Sequence, residues 1–231
     1  MRTEQFKPHL SKIIEDVKSK KELKDLDEGF LGERVREIYK GKFNKKNKDY
    51  KKFFKEIRKK LRETYGGFKR VREERVEVYD KIFEITGRPK SVLDLGCGYH
   101  KFPFKDIEYY GCDIGKDYID ECNKHLKKNK IKGKCFVFDL LGDVKKLKKV
   151  DVVFIFKVLE SLEVFEKDIS KKIVKDLKCK YVVVSFAKKV LSDKGYIKKK
   201  GRKWFRILLN ELKYEYKIFD YKDEIYFIIK K

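Results

Sequence analysis

Five apolar runs of strand length, at residues 91–95, 107–112, 135–138, 151–156 and 181–186, alternate with segments of helical periodicity such as 116–128 and 162–177. No other feature of the chain restricts its fold as strongly. Short, predominantly apolar runs are the pattern of strands buried on both faces, and strands separated by helices join as parallel neighbours with those helices covering the sheet. Past a helix expected at 204–212, the runs 214–219 and 225–229 face each other across 220–224, which is hairpin spacing. The expected architecture is therefore α/β, a mostly parallel seven-stranded sheet ending in an antiparallel hairpin.

Residues 1–66 carry no strand pattern. Apolar residues recur there at helical spacing as Ile13, Ile14 and Val17, as Val35, Ile38 and Tyr39, and as Phe53, Phe54, Ile57 and Leu61. Gly66-Gly67 marks a boundary. A helical subdomain over 1–66 and an α/β domain over 67–231 follow. Val71 to Ile85 reads as a further amphipathic helix, closed by Gly87 and Pro89 ahead of the first strand.

The chain carries 62 Lys and Arg against 38 Asp and Glu, a net charge of +24. Enrichment for thermostability raises both signs together. The imbalance instead favours a polyanionic partner, because Lys and Arg gain affinity by releasing counterions from phosphates. The basic connection at 40–48, with Phe43 and the nearby Tyr50, suits RNA backbone contact and plain solvation equally. Cys97, Cys112, Cys122, Cys135 and Cys179 are odd in number and form no C-x-x-C pair. They read as reduced, buried thiols with no structural metal. No apolar run approaches membrane-spanning length, so a cytoplasmic monomer without membrane contact is expected.

The chemistry centres on the turn after the first run. Gly96 and Gly98 lack a Cβ, so the chain can turn sharply and a ligand can lie against main-chain amides. Asp113 ends the second run, nineteen positions after Asp94, close to the spacing at which doubly wound folds hold a ribose with a carboxylate. Lys101 fills the third glycine position of a dinucleotide fingerprint, which weakens a nicotinamide reading. Asp94 followed by Gly96-Cys97-Gly98 resembles the first motif of S-adenosylmethionine-dependent methyltransferases, and Asp113 resembles their ribose-binding acid. The resemblance implies a Rossmann-like class I methyltransferase domain and S-adenosyl-L-methionine as cofactor.

Ligands of open α/β sheets bind beyond the carboxyl ends of the strands. That rim receives Asp94, Gly96 and Gly98, then Asp113 with Ile114, then Asp139 and Leu140, then Lys157, and finally Ser185 with Phe186. Asp113 suits ribose hydroxyls. Asp139 suits an adenine amino group or a helix N-cap, and Leu140 can pack on the base. After the fourth run stands Phe156-Lys157-Val158-Leu159, without the Asn-Pro-Pro-Tyr type of motif that stabilises a reacting amine. No Pro-Cys pair offers a nucleophile. His9, His100 and His125 show no relay spacing and read as surface or loop histidines. A transferase without an obvious base points to an acceptor that needs none, and guanine N7 has a free lone pair at neutral pH.

Several pieces then agree in order and spacing: Glu74-Arg75-Val76-Glu77-Val78-Tyr79-Asp80, Gly87-Arg88-Pro89 leading into Asp94, Lys157-Val158-Leu159-Glu160-Ser161-Leu162-Glu163, Val184-Ser185-Phe186 with Leu191, and Trp204-Phe205. Together they resemble the 16S ribosomal RNA guanine-N7 methyltransferases of the aminoglycoside-resistance group. The resemblance implies that Arg75 meets the cofactor carboxylate, that Lys157 borders the cofactor cleft, and that Lys157, Glu163, Ser185, Phe186 and Trp204 lie at the target-base side. The group usually has Ala where Gly96 stands, Asn-Pro where Tyr99-His100 stands, Pro at Ala187 and Ser-Leu at Val190-Leu191. These departures flank the pockets, so small-subunit rRNA and tRNA both remain open as the structured RNA partner. Core anchoring is an equal reading for Trp204, a surface ion pair is the weaker alternative for Lys157 because it stands at the edge of the cofactor cleft, and Arg75 can pair with Glu74 or Glu77. Methylation of another base atom or of ribose, and a non-catalytic RNA-binding protein, are the alternative functions.

Overall fold

The computed structural model describes residues 7–19, 23–38, 48–61, 76–188 and 202–231. Contacts divide the chain into two units, residues 1–70 with 114–117, and residues 71–113 with 118–231. The basic run 41–47, the Gly66-Gly67 boundary and residues 71–75 of the expected fourth helix lie outside the described residues.

The smaller unit is helical. Helices α1 (Lys7–Lys18), α2 (Glu28–Ile38) and α3 (Lys48–Leu61) bury Leu10, Ile13 and Val17, then Phe30, Leu31 and Val35, then Ile57 and Leu61. Spacings of three and four put each set on one helix face, which is what lets short helices pack rather than fray. Asp27 caps α2, its carboxylate accepting the Phe30 N–H at 2.8 Å. Leu26 and Gly115 form an isolated antiparallel bridge within this unit.

In the larger unit α4 (Val76–Thr86) precedes β1 (Ser91–Leu95) and β2 (Glu108–Asp113), then α5 (Lys116–Asn129), β3 (Gly133–Val137), β4 (Val152–Phe156), α6 (Leu159–Glu163), α7 (Ile169–Asp176), β5 (Tyr181–Ala187), α8 (Lys203–Glu211), β6 (Glu215–Tyr221) and β7 (Glu224–Lys230). The seven strands lie in the order β3-β2-β1-β4-β5-β7-β6. Strands β1 to β5 are parallel, and β7 runs antiparallel to both β5 and β6. Alternate residues face opposite sides. Leu93, Leu95, Val153, Ile155, Val184 and Phe186 pack with α6, α7 and α8, whereas Val92, Tyr109, Phe154, Val183 and Tyr226 pack with α4 and α5. Both faces are covered, which explains why these strands read as continuous apolar runs.

Two expectations change. The helix expected over 162–177 is two helices, because the chain turns at Asp168 with φ 64°. Glu163 drives that break: its carboxylate accepts the N–H groups of Asp168 at 2.9 Å and Ser170 at 2.8 Å, supplying the first turn of α7 with acceptors. The hairpin pairs as far as Tyr221 and Glu224 and leaves a two-residue turn, Lys222-Asp223, with Lys222 at φ 48°.

Candidate active site

Strand β1 lies between β2 and β4, so the chain winds outward in one direction through β2 and β3 and in the other through β4 and β5. The crevice of such a sheet opens at the carboxyl ends of the two strands where the winding reverses, here β1 and β4. The loops after these strands meet. A Cβ on Gly96, whose φ is +69°, would stand 2.6 Å from Val158 Cγ2, so only glycine fits there. Gly98, at φ +53°, has nothing within 4 Å of where its Cβ would point. Its N–H donates to Asp113 Oδ2 at 3.0 Å. The N–H groups of Gly96 and Cys97 both donate to the Cys112 carbonyl, at 2.8 and 3.0 Å, which ties the turn to β2.

Beneath the turn lies a polar chain. Asp94 is fully buried, and its Oδ2 accepts His100 Nδ1–H at 2.6 Å and Tyr109 O–H at 3.0 Å. An ionised carboxylate only accepts, which puts the imidazole proton on Nδ1 and lets Nε2 accept from Tyr79 O–H at 2.5 Å. Burial, then the nearby Asp94 charge, pushes the Tyr109 phenol well above its ordinary pKa, so it stays a donor. His100 is therefore no surface or loop histidine of the ordinary kind. It is a buried strut that carries the chain leaving Gly98 back onto Asp94. Its partners come from α4, β1 and β2, and they face it only through strand pairing and helix packing, which leaves no motif in the sequence.

The remaining cofactor-side candidates are spread more widely. Asp139 is half-buried after β3, and its Oδ1 accepts the Leu141 N–H at 2.9 Å in a local turn. The N-cap role considered for it belongs to Asp143, which accepts from Lys145 N–H at the single 3-10 turn Val144–Lys146. Leu140 is buried against the core. Ile114 is buried and clusters with the smaller unit, while Arg75 lies outside the described residues.

On the other side of the crevice Lys157 ends β4 at φ 62°, an uncommon conformation for a side-chain-bearing residue and one that gathers at functional sites. Its N–H donates to Ser185 O at 2.9 Å, and its Nζ lies 3.2 Å from Glu224 Oε1. Glu224 is itself buried and accepts from Tyr226 O–H at 2.9 Å. The side chains of Ser185 and Phe186 fall on opposite faces of β5. Ser185 Oγ is buried without a hydrogen-bond partner among the described residues, a state that buried hydroxyls rarely keep. Phe186 is fully buried, edge-on to Trp204 with centroids 5.8 Å apart and to Phe205 at 5.0 Å. Trp204 is half-buried and so keeps an open edge.

Arg202, absent from the sequence-based candidates, underlies this side. It is buried, pairs with Glu160 at 2.8 Å, donates to Ala187 O at 2.7 Å and stacks over Phe186. Burial lowers its pKa against the raising influence of Glu160, while burial raises that of Glu160. Residues 189–201, between β5 and this arginine, lie outside the described residues.

The cysteines converge unexpectedly. All five are free, as expected, but the sulfurs of Cys97, Cys122 and Cys135 lie within 4.8 Å of one another. The neighbouring thiols of Cys122, and then of Cys97, lower the pKa of the Cys135 thiol in spite of burial.

Similarity to known proteins agrees with this geometry. A solved structure of the 16S rRNA methyltransferase RmtF in complex with S-adenosyl-L-homocysteine superposes with TM-score 0.77 at 17% identity, covering 96% of this chain and 98% of that one. A structure of the 16S rRNA methylase RmtB gives TM-score 0.71 at 16% identity, with 96% and 98% covered. A 16S rRNA (guanine(1405)-N(7))-methyltransferase of Proteus mirabilis is 31% identical over 127 residues. That match takes in 51% of this chain and 44% of the relative, so it spans less than half the relative's length. The family model described as ribosomal RNA methyltransferase (FmrO) matches residues 55–201. Since that stretch is more than half of the 231 residues and contains the glycine turn after β1 together with Lys157, Ser185 and Phe186, the chain belongs to the FmrO ribosomal RNA methyltransferase family.

Proposed function

We propose that this protein transfers a methyl group from S-adenosyl-L-methionine to N7 of a guanine in structured small-subunit ribosomal RNA. The observation that carries the reading is the pairing at the β1 end of the crevice: open space over Gly98, beside a carboxylate already fixed to the Gly98 N–H. A nucleoside cofactor fits such a cradle. The bound cofactor would supply an electrophilic methyl on a sulfonium.

The chain's own groups divide the work. Asp113 takes the ribose hydroxyls, and Gly96 and Gly98 let main chain approach the methionine end. Asp139 accepts from the adenine amino group, with Leu140 packing on the nucleoside and Arg75 holding the cofactor carboxylate. Asp94 acts at one remove, through His100 and the shape of the turn. Across the crevice, Trp204 offers an aromatic edge to the target base, and Phe186 and Arg202 hold that ring in place. Lys157, anchored by Glu224, shapes the boundary between cofactor and base. Ser185 is a polar group at the same rim, and Glu163 positions α7.

Guanine N7 suits this rim because no proton need leave the acceptor. Alignment of nitrogen, methyl and sulfur can then supply most of the acceleration. Lys157 is occupied by Glu224 and Glu163 by the amides of α7, so neither is poised as a base. The +24 charge suits docking on RNA, and a cytoplasmic monomer is part of the same proposal. No helix among the described residues is long and apolar enough to cross a membrane.

The test is incubation of small ribosomal subunits and of tRNA with methyl-labelled cofactor, followed by borohydride and aniline cleavage. A single cleavage site at a guanine of the small-subunit RNA is expected. Label on an exocyclic amine or a ribose would overturn the N7 assignment, label confined to tRNA would overturn the substrate, and no transfer to either would overturn the activity.

A further inference from the structure

The Cys97, Cys122 and Cys135 cluster has no part in the proposed methyl transfer. Each sulfur comes from a different element: the glycine turn after β1, the middle of α5, and the middle of β3. All three are buried. We infer that these three cysteines form a binding site for a soft, thiophilic metal ion of the Cu(I) class, held by three sulfurs.

Three observations carry this. The first is distance. Sulfurs about 2.3 Å from a common ion in a plane stand roughly 4 Å apart, and these lie within 4.8 Å of one another before any ion draws them in. The second is space. Gly111, in the middle of the doubly paired strand β2, faces the cluster, and a Cβ there would come 2.9 Å from Cys135 Sγ and 3.1 Å from Cys97 Sγ. A glycine in a buried strand loses packing and costs chain entropy, and here its absent side chain makes room for the sulfurs.

The third is preorganisation. Asn123, next to Cys122, clamps the backbone of Cys135 by donating to its carbonyl at 3.0 Å and accepting its N–H at 2.8 Å. The Cys122 S–H donates toward the carbonyls of Gly98 and His100, at 3.2 and 3.3 Å, and that proton leaves when the sulfur ligates an ion. An ion here would therefore tie the glycine turn to α5 and β3.

The ligand set selects the ion. The group contains no imidazole or carboxylate, and sulfur-only sets favour soft ions such as Cu(I) and Zn(II). Closed zinc sites take four ligands, and this cluster offers three, which suits a trigonal ion better.

The experiment is an anaerobic titration of the reduced full-length chain with Cu(I) against a colorimetric chelator, with Zn(II) in parallel, followed by X-ray absorption at the copper edge. One tight equivalent with three sulfur neighbours is expected, with zinc bound more weakly. Cys135→Ser should lower Cu(I) affinity by at least about 100-fold, beyond the roughly 10–100-fold typical of losing an outer-shell partner. Cys179→Ser should leave it unchanged. Absence of a tight equivalent, fewer than three sulfur neighbours, tighter zinc than copper, or full affinity in Cys135→Ser would each overturn the site. Should Cys135→Ser fail to fold, Cys122→Ala and the sulfur count in the unaltered chain decide the matter by the same criteria.

Discussion

The two sides of the crevice are built by opposite means. On the β1 side a turn of two positive-φ glycines rests on a buried polar chain, Tyr79 to His100 to Asp94, with Tyr109 joining at the carboxylate. On the β4–β5 side the rim is an aromatic cluster, Phe186, Trp204 and Phe205, bounded by two ion pairs, Lys157–Glu224 and Arg202–Glu160. Hydrogen bonds are directional and costly to break when buried, so the first side holds one shape. On the second side Trp204, Lys157 and Glu160 stay partly exposed over a buried base of Phe186, Arg202 and Glu224, so its outer layer is the freer to adapt to a bulky partner.

The comparison breaks first if Asp94 is dispensable. Asp94→Ala leaves His100 and Tyr109 buried without their acceptor, at roughly 1–3 kcal/mol for each orphaned group. Denaturant unfolding should register a loss of roughly 2–6 kcal/mol, together with loss of cofactor binding; a loss below 1 kcal/mol would show that the polar chain is not what holds the turn.

Asp113→Ala comes next. It removes the acceptor for Gly98 N–H and for the ribose, so calorimetry should show affinity for S-adenosylmethionine reduced by roughly 30–150-fold, from about 2–3 kcal/mol of lost interaction. Unchanged affinity would take Asp113 out of the site.

Arg202→Met probes the opposite side. The aliphatic replacement keeps contact with Phe186 but leaves the Ala187 carbonyl without its donor, at about 1–3 kcal/mol, and Glu160 without its counter-charge in addition, with cofactor affinity expected to be unaltered. If cofactor affinity fell instead, the two sides would be coupled and the division wrong.

How much of this could be read from the sequence depended on distance along the chain. The strands were readable because both faces of the sheet are covered, so Val152 to Phe156 are apolar throughout and Val182 to Phe186 are apolar at every position but Ser185. Gly96, Gly98 and Asp113 were readable because a turn and the end of the following strand are close in sequence. His100 was missed because no motif marks a lone histidine after a glycine turn: Asp94 and Tyr109 are near in sequence but face it only once β1 and β2 have paired, and Tyr79 only once α4 has packed on the sheet. Arg202 and Glu160, and the three clustered cysteines, are likewise separated by whole elements. The break between α6 and α7 was hidden because Val164 and Phe165 keep the apolar rhythm going while Glu163 caps the next helix.

Glu163→Gln separates structural from target-side roles at smaller cost. Loss of the charged cap on α7 should destabilise by about 0.5–1 kcal/mol with methyl transfer nearly intact. A large fall in transfer rate in a stable variant would move Glu163 to the target base.

The smallest effect is a control away from the crevice. Burial would raise the pKa of Asp151, but the N–H of Lys90, the Lys180 ammonium and the N–H of Ser91 together hold it below the ordinary carboxylate value. Its contribution is thus present above an unfolded pKa of about 3.9 and is lost as pH falls through the lower folded value. Asp151→Asn should flatten the acid limb of the stability profile; an unchanged limb would assign acid sensitivity to other carboxylates.

The most direct measurement is titration calorimetry of S-adenosylmethionine into the full chain and into Gly98→Ala. The added methyl points into the space proposed for the cofactor, and at φ +53° it costs only roughly 1–2 kcal/mol of backbone strain. One equivalent bound by the unaltered chain and none by a folded Gly98→Ala is the predicted result. Equal affinity in both would mean that the space over Gly98 is not where the cofactor lies.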